Sequence, residues 1–410
     1  VKVLLVGSGG REHALAWRLA RSGPHVEIHA APGNPGIARI GHCHPVRSDD
    51  LEGLLDLARQ LRIDLVVVGP EAPLVAGLAD VLRHAGIAVF GPSAAAAQIE
   101  GSKSFAKDVL LSAGVPTART LARVEAPCVI KADGLAAGKG VFVCTTAEEV
   151  EAGLQGAAAF GGEIVVEELL LGSELSLFAL CDGTRAIALT PAQDFKRAYD
   201  GDTGPNTGGM GAYSPVPGIS RADAQQLVNT IHLPVLEELA RRGSPFIGLL
   251  YAGLMLTADG PRVIEFNARF GDPETQVVLP LLEGDLLGAL AAAAAGDLSG
   301  VELGIASAAA VTVVVAGGDY PARGDSGSEI TGIDAAEAAG ALVFHAGTAH
   351  DAKHRIVTNG GRVLTVTGVG ANLAAARAVA YAGVEQIHFA GARHRTDIAL
   401  IASNKETSHG

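Results

Sequence analysis

Residues 261–276 read PRVIEFNARFGDPETQ. The run Arg262-Val263-Ile264 has the character of a β-strand, and strand side chains alternate faces with a period of two. Glu265, Asn267 and Arg269 therefore share one face, and Ile264, Phe266 and Ala268 the other, directed into a core. A carboxylate, an amide oxygen and a guanidinium in a row suit a hard cation and a polyphosphate. Oxygen donors hold the cation, and a fixed guanidinium holds phosphoryl oxygens. A solvated strand edge with a surface ion pair is the plain alternative. It gives no reason for an asparagine between the charges, nor for a Gly271-Asp272-Pro273 turn closing the strand.

Other segments carry phosphate chemistry. Lys131-Ala132-Asp133-Gly134-Leu135-Ala136-Ala137-Gly138-Lys139-Gly140 sets a strand lysine ahead of a small-residue loop with a second lysine. Backbone amides of such a loop can cradle phosphate oxygens while the lysines neutralise charge; a plain hairpin turn is the alternative. It is not a Walker A loop, because Gly134 is followed five positions on by Lys139, and Gly140 stands where Ser or Thr is required. Lys103 and Lys107, four apart on a predicted helix, share a face that alone would read as solvated. Gly7-Ser8-Gly9-Gly10-Arg11-Glu12 approaches the dinucleotide fingerprint, but Glu12 fills the third glycine position and no acid ends the second strand at His29-Ala30. Free amides at that helix N-terminus, with Arg11, favour a phosphate ligand. Glu167-Glu168-Leu169-Leu170 ends a strand, and such a hinge can read an adenine edge with Glu174 near a ribose hydroxyl.

The elements that must position these groups follow from hydrophobic period. Residues 1–100 alternate aliphatic runs with helical patterns starting at Arg11, Asp49 and Leu74, a βαβ series that implies a doubly wound parallel sheet. Its ligands belong at strand carboxyl ends, where Gly7-Ser8-Gly9-Gly10, Pro32-Gly33-Asn34, Gly69-Pro70-Glu71 and Gly91-Pro92-Ser93 lie. Residues 118–190 read as a small α+β insertion with an antiparallel sheet and one helix from Ala147. Residues 193–218 are rich in Gly, Pro, Asn and Thr, too long and polar for a simple connection. A helix over about 221–242, two strands and an Ala-rich helix near 285–295 follow; a third strand series starts at 306–315, with a helix from Asn372. The expected division is 1–100, a core of 101–117 with 191–300, a lid of 118–190, a C-terminal mixed α/β domain of 301–404, and a flexible tail of 405–410.

A chain of 410 residues is too long for one ordinary core. A net charge of -13 disfavours nucleic acid as a partner but not phosphorylated small molecules, which need only local cations. Cys128, Cys144 and Cys181 lie in apolar runs, as small buried thiols of a reduced, cytoplasmic protein do. His42-Cys43-His44 lacks the paired Cys or spaced His of a metal site. The first residues already read as strand, so no signal peptide is expected, and no uncharged run approaches the ~20 apolar residues of a membrane span.

Taken together, GSGGREHALAW, APGNPG, VGPEAPL, EGSKSFAKD, VIKADGLAAGKGV, QDFKRAYDGDTGPNTGGMGAYSP, VIEFNARFGDPETQ and VFHAGT resemble the phosphoribosylamine–glycine ligase family of the ATP-grasp superfamily, in order along nearly the whole chain. The resemblance implies an N-terminal sheet domain, a central ATP-grasp domain with a mobile lid, and a C-terminal domain. It implies ATP with Mg²⁺ or Mn²⁺, and glycine and 5-phosphoribosylamine as substrates. It further implies a monomer in transient contact with the enzyme that supplies the amine. Glu265 and Asn267 match the metal ligands, and Arg269 and Lys131 the catalytic cations. Lys103, Lys131, Gly138, Lys139 and Gly140 match the triphosphate contacts; Glu167, Glu168, Leu170 and Glu174 match the nucleoside site. Gly9, Gly10, Arg11, Glu12, Asn34 and Glu71 match the phosphoribosyl pocket. Asp194, Lys196, Asn206, Thr207, Gly208, Gly209 and Met210, with Arg269, Gly271 and Asp272, match the loop that holds glycine and the sugar. Segments 117–127 and 151–163 are shorter than the family pattern, which implies a trimmed lid.

Overall fold

The computed structural model describes residues 1–136 and 139–407, with side chains up to Asn404. Gly138 therefore lies outside the described residues, as do 408–410 of the expected tail. Residues 405–407 of that tail continue a helix, Leu400–Thr407.

The aliphatic runs of the first hundred residues form five parallel strands: Lys2–Gly7, Glu27–Pro32, His42–Cys43, Leu65–Val68 and Val89–Phe90. Their spatial order is third, second, first, fourth, fifth. Both faces are covered, Leu4 and Val6 packing into one core and Val3 and Leu5 into another, as parallel sheets require. The helix expected from Leu74 is two helices, Glu71–Val75 and Leu78–His84. Between them Gly77 has φ +93°, a conformation that stops a helix and suits glycine.

The expected insertion over 118–190 divides between two sheets. Strands Val141–Cys144, Cys128–Ala132 and Ile164–Glu168 make a three-stranded lid sheet, on which helix Ala147–Ala158 packs Val150 and Ala157. Strands Ser173–Asp182 and Ala186–Ala188 belong instead to an antiparallel core sheet with Ile247–Thr257 and Gly260–Asn267. There Ser173–Asp182 pairs with Ile247–Thr257 along its whole length, from Asp182 opposite Ile247 to Ser173 opposite Leu256. Both sets alternate antiparallel strands, so local pattern does not reveal the change of partner.

The polar segment after residue 192 is likewise shared. Strands Gln193–Asp194 and Gly211–Ser214 extend a sheet completed by Ala309–Ala316, Arg362–Gly370 and Leu342–His345. The segment expected in the ATP-grasp core is thus pinned at both ends to the C-terminal domain. Asn372 caps helix Leu373–Val384, its side chain accepting from Ala375 N. Among the described residues no helix is long and apolar enough to cross a membrane.

One irregularity shapes the cleft. Gly253 pairs with Glu265 but Leu254 pairs with Val263, which leaves Ile264 as the extra residue of a β-bulge. Val263 and Phe266 enter the core, while Ile264, expected there, lines the cleft. Alternation resumes at Glu265, so the polar face keeps its orientation.

Candidate active site

A cavity of about 1370 Å³ opens between the lid sheet, the core sheet and the C-terminal domain. Glu265, Asn267 and Arg269 line it together, as strand alternation predicts. Lys103, the first residue of helix Lys103–Ser112, lines the same cavity. Lys131 donates to Ile264 O at 2.8 Å and pairs with Glu167 at 2.6 Å. Lys107, expected on a solvated face, is buried: it pairs with the other Glu167 oxygen at 2.6 Å and donates to Ala118 O at 2.6 Å. Burial lowers its pKa against the pull of Glu167. Two ammonium groups thus hold the hinge carboxylate. Glu168 pairs with Arg119 at 2.7 Å and, with Leu169 and Leu170, lines the cavity wall.

Arg269 sits between Glu100 at 2.9 Å and Glu71 at 3.3 Å. Glu100 is buried, and burial raises its pKa despite Arg269. It also accepts from Ala268 N at 2.6 Å, which ties its own helix, Ala94–Gly101, to the strand end. For Glu71, burial is outweighed by Arg269 and Arg11, so its carboxyl is held below the usual range. Glu265 follows the same balance: burial would raise it, but Lys196, Lys103, Lys131 and Arg269 lower it. It is an ionised oxygen donor beside the Asn267 amide oxygen, a pair that fits a hard divalent cation.

The Lys196 ammonium lies 2.6 Å from Glu174 and 3.7 Å from Glu265. Glu174, expected at a ribose, is thus engaged by Lys196. Burial pushes Asp194 up to about 8, with Lys196 opposing and Glu274, Glu174 and Glu265 adding to the rise. Lys196 itself is held charged, its own burial outweighed by Asp194, Glu174 and Glu265. Those two directions compete, since a neutral Asp194 cannot hold the lysine. Burial is the largest influence on Asp194 and three nearby carboxylates add to it, so we place a proton there and leave Glu174 and Glu265 to charge Lys196.

The first glycine turn differs from the open anion cradle expected of it. Gly9 N donates to Glu12 Oε2 at 2.5 Å, and Arg11 Nε to Glu12 Oε1 at 2.5 Å. An internal carboxylate therefore occupies the amide that a phosphate would take. Arg11 is buried, with Nη1 donating to Phe270 O at 3.1 Å. Asn34 also serves the fold: its oxygen caps helix Pro35–Ala38, and its nitrogen donates to Ser8 O at 2.8 Å and His345 O at 2.9 Å.

Beside this turn lies a second cavity of about 600 Å³, bordered by Ser8, Gly9, Asn34, Tyr320, Asp272 and Arg362. Asp272 and Arg362 also border the large cavity, so the two meet there. Arg362 donates to Gly208 O at 2.5 Å and Asp272 O at 2.6 Å, and pairs with the Asp272 carboxylate at 3.3 Å. Burial works against its charge, but Asp272 outweighs it. No motif marks Arg362: it opens an ordinary strand, and only the fold brings it to residues 90 and 154 positions away.

Of the polar loop, Asp194, Lys196, Asn206, Thr207 and Gly208 reach the large cavity with Arg11, Glu71 and Gly140. Gly10, Glu12, Gly209 and Gly271 line neither of these two cavities. Met210 is fully buried with Val314 and Ala316, a core residue rather than a substrate contact. Lys139 donates to Pro321 O at 3.2 Å, so this lid lysine reaches the C-terminal domain.

Residues 1–100 match the phosphoribosylglycinamide synthetase N domain, 101–275 its ATP-grasp (A) domain and 310–401 its C domain. The chain is 52% identical to phosphoribosylamine–glycine ligase of Streptomyces coelicolor over 419 residues, covering 98% of this chain and all of the relative. The crystal structure of phosphoribosylamine–glycine ligase from Thermotoga maritima superposes with a TM-score of 0.82 at 34% identity, over 97% of this chain and all of that one. The biotin carboxylase domain of 2-oxoglutarate carboxylase from Hydrogenobacter thermophilus, solved with MgADP, ADP and bicarbonate, shares the fold at 17% identity, with a TM-score of 0.69 over 96% of this chain and 91% of that one.

Proposed function

The chain belongs to the phosphoribosylglycinamide synthetase family, and on that premise we propose that it joins glycine to 5-phosphoribosylamine in purine biosynthesis, with ATP giving ADP and phosphate. The observation that carries this reading is the convergence of Glu265, Asn267, Arg269, Lys103, Lys131 and Lys196 on one cavity that meets a second at Asp272 and Arg362. ATP lies between the lid and core sheets, its base at the Glu167–Leu170 hinge and its phosphates toward Lys103 and Lys131. The amine sugar takes the second cavity, where Asn34, Asp272, Tyr320 and Arg362 supply the polar wall, and meets the large cavity, lined there by Arg11 and the loop 206–208, at Asp272 and Arg362.

The chemistry is carboxylate activation. A glycine carboxylate oxygen attacks the terminal phosphorus of ATP, and ADP leaves. The amine nitrogen then attacks the carbonyl carbon of the glycyl phosphate, and phosphate leaves with the oxygen that came from glycine. Phosphoryl transfer asks for positioning and charge neutralisation more than covalent help. Arg269, already braced by Glu71 and Glu100, offers a charge that needs no reorganisation as the reaction proceeds. Glu265 and Asn267 would hold Mg²⁺ or Mn²⁺, which when bound screens charge on the phosphates. The lid keeps water from the acyl phosphate. We assign the protein to the cytoplasm as a monomer that accepts its labile amine from the enzyme that makes it.

ADP release tests the reading. Turnover should require glycine and phosphoribosylamine together and be near background with either alone. Equal turnover with an unrelated amine acceptor, or with glycine alone, would show that the substrates are wrong.

A further inference from the structure

Strands Arg197–Tyr199 and Thr203–Asn206 form a hairpin that belongs to no larger sheet. Its residues Arg197, Gly201, Asp202 and Asn206 line the large cavity. Lys196 precedes it and Thr207 follows it, and Thr207 N donates to Lys196 O at 2.8 Å across its open end. A two-stranded hairpin of this length has little stability of its own. Its shape is imposed by a segment that no motif in the sequence marks, 393–397. Arg395 Nη1 donates to Arg197 O at 3.0 Å and lies 3.3 Å from Asp202 Oδ1. Arg393 Nη1 donates to Ala198 O at 3.1 Å. Thr396 N donates to Asp200 Oδ1 at 2.8 Å, and Gly201 N to Asp397 Oδ2 at 2.9 Å.

Arg395 is the centre of this set. It is 2% exposed, and its guanidinium stands 5.0 Å from the Phe195 ring. Asp397 grips its other edge with two bonds, at 2.7 and 2.8 Å. A buried guanidinium is tolerated only where its donors are satisfied, and the planar fork fixes its partners in direction as well as distance. Here the partners are hairpin backbone on one side and Asp397 on the other.

We propose that Arg395 is a positioning residue for the ligation: braced by Asp397, it sets the hairpin so that Lys196 and the 206–208 turn face the bound substrates. This rests on the functional reading above. The expected consequence is a selective one, because the lysines and hinge that receive ATP lie on the lid, the core sheet and helix Lys103–Ser112, which Arg395 does not touch.

The test uses the full chain. Arg395→Met should raise the KM for glycine or for phosphoribosylamine at least tenfold and leave the KM for ATP within twofold. Amide hydrogen exchange should quicken at 197–206 and stay unchanged on the paired core strands, at 175–182 and 247–254. Arg395→Lys should recover part of the KM, since it restores charge but not the fork. If Arg395→Met does not fold, Asp200→Ala removes both side-chain bonds to Thr396, from its N and its Oγ1, and should shift the same KM in the same direction by at least about threefold, a change that the loss of two exposed hydrogen bonds supports. A parallel rise in the KM for ATP, or unaltered hairpin exchange with unaltered KM values, would overturn the proposal. The exchange measurement needs no substrate, so a wild-type protein that fails to ligate would sink the functional reading and leave this result standing.

Discussion

At Glu265 the carboxylate faces four cationic side chains, which lower its pKa against burial. Glutamine has the same shape and none of the charge, so Glu265→Gln separates metal affinity from folding. Activity should fall by at least tenfold at ordinary Mg²⁺ and recover partly as Mg²⁺ is raised; near-normal turnover at ordinary Mg²⁺ would remove Glu265 from the metal site. This polar face was legible because alternation runs unbroken from Glu265 to Arg269. Ile264 was misread because a bulge depends on the partner strand, which a single strand's period does not contain. Lys107 and Arg362 were missed for a related reason: each is an ordinary residue of its own helix or strand, and its partners come from elsewhere in the chain. Met210 is set among polar residues of the substrate loop, yet the Gly211–Ser214 strand beside it carries it into the C-terminal core.

Among the elements, the lid packs on a small core of its own, with Cys128, Ile130, Cys144 and Val166 at its centre. Its ties to the rest include Asn206 Nδ2 donating to Val141 O at 3.3 Å and Ser104 donating to Asp133 at 2.6 Å. Small cores open at low free energy. A non-hydrolysable ATP analogue with Mg²⁺ should therefore raise hydrogen-exchange protection at 139–142 and 167–174 and change little beyond residue 306. Equal protection with and without the analogue would make the lid a rigid cap and remove its gating role. The strands of the lid were readable from their aliphatic runs and the helix from its start at Ala147, where Thr146 caps it. Sheet membership was not readable, because Ser173–Asp182 carries the same local signals as the lid strands and joins the core sheet only through Ile247–Thr257.

Across the whole molecule, the N-terminal and C-terminal domains are joined through buried histidine. His13 Nδ1 accepts from His345 N at 2.8 Å, and Arg39 bonds Glu337 nearby at 2.9 Å. The order of the domains was legible from their patterns; this junction was not, since it links residues 332 positions apart. Burial lowers His13 well below its usual value, and lowers His232 and His345 to about 4. Between about pH 4 and 6.5 the unfolded chain takes up protons that the folded chain refuses, so stability rises with pH across that window, by roughly 3 kcal/mol for a group shifted this far. Asp194 acts oppositely. Its raised pKa makes the folded state the better proton binder from about pH 4 to 8, so its share of stability falls as pH rises through that range. The three histidines outweigh Asp194 below pH 6.5; above it Asp194 remains, and Glu100, raised by burial, acts in the same direction. Denaturant midpoints should therefore rise from pH 4.5 to about 6.5 and decline slightly toward 8; a midpoint that falls steadily over the lower range would contradict the burial of these histidines. The central claim, that glycine is activated as its acyl phosphate within this three-domain site, is tested most directly by oxygen transfer. With glycine labelled with ¹⁸O in both carboxylate oxygens, and phosphoribosylamine and ATP present, each phosphate released should carry one labelled oxygen. Phosphate free of label, formed at the rate of ligation, would contradict it.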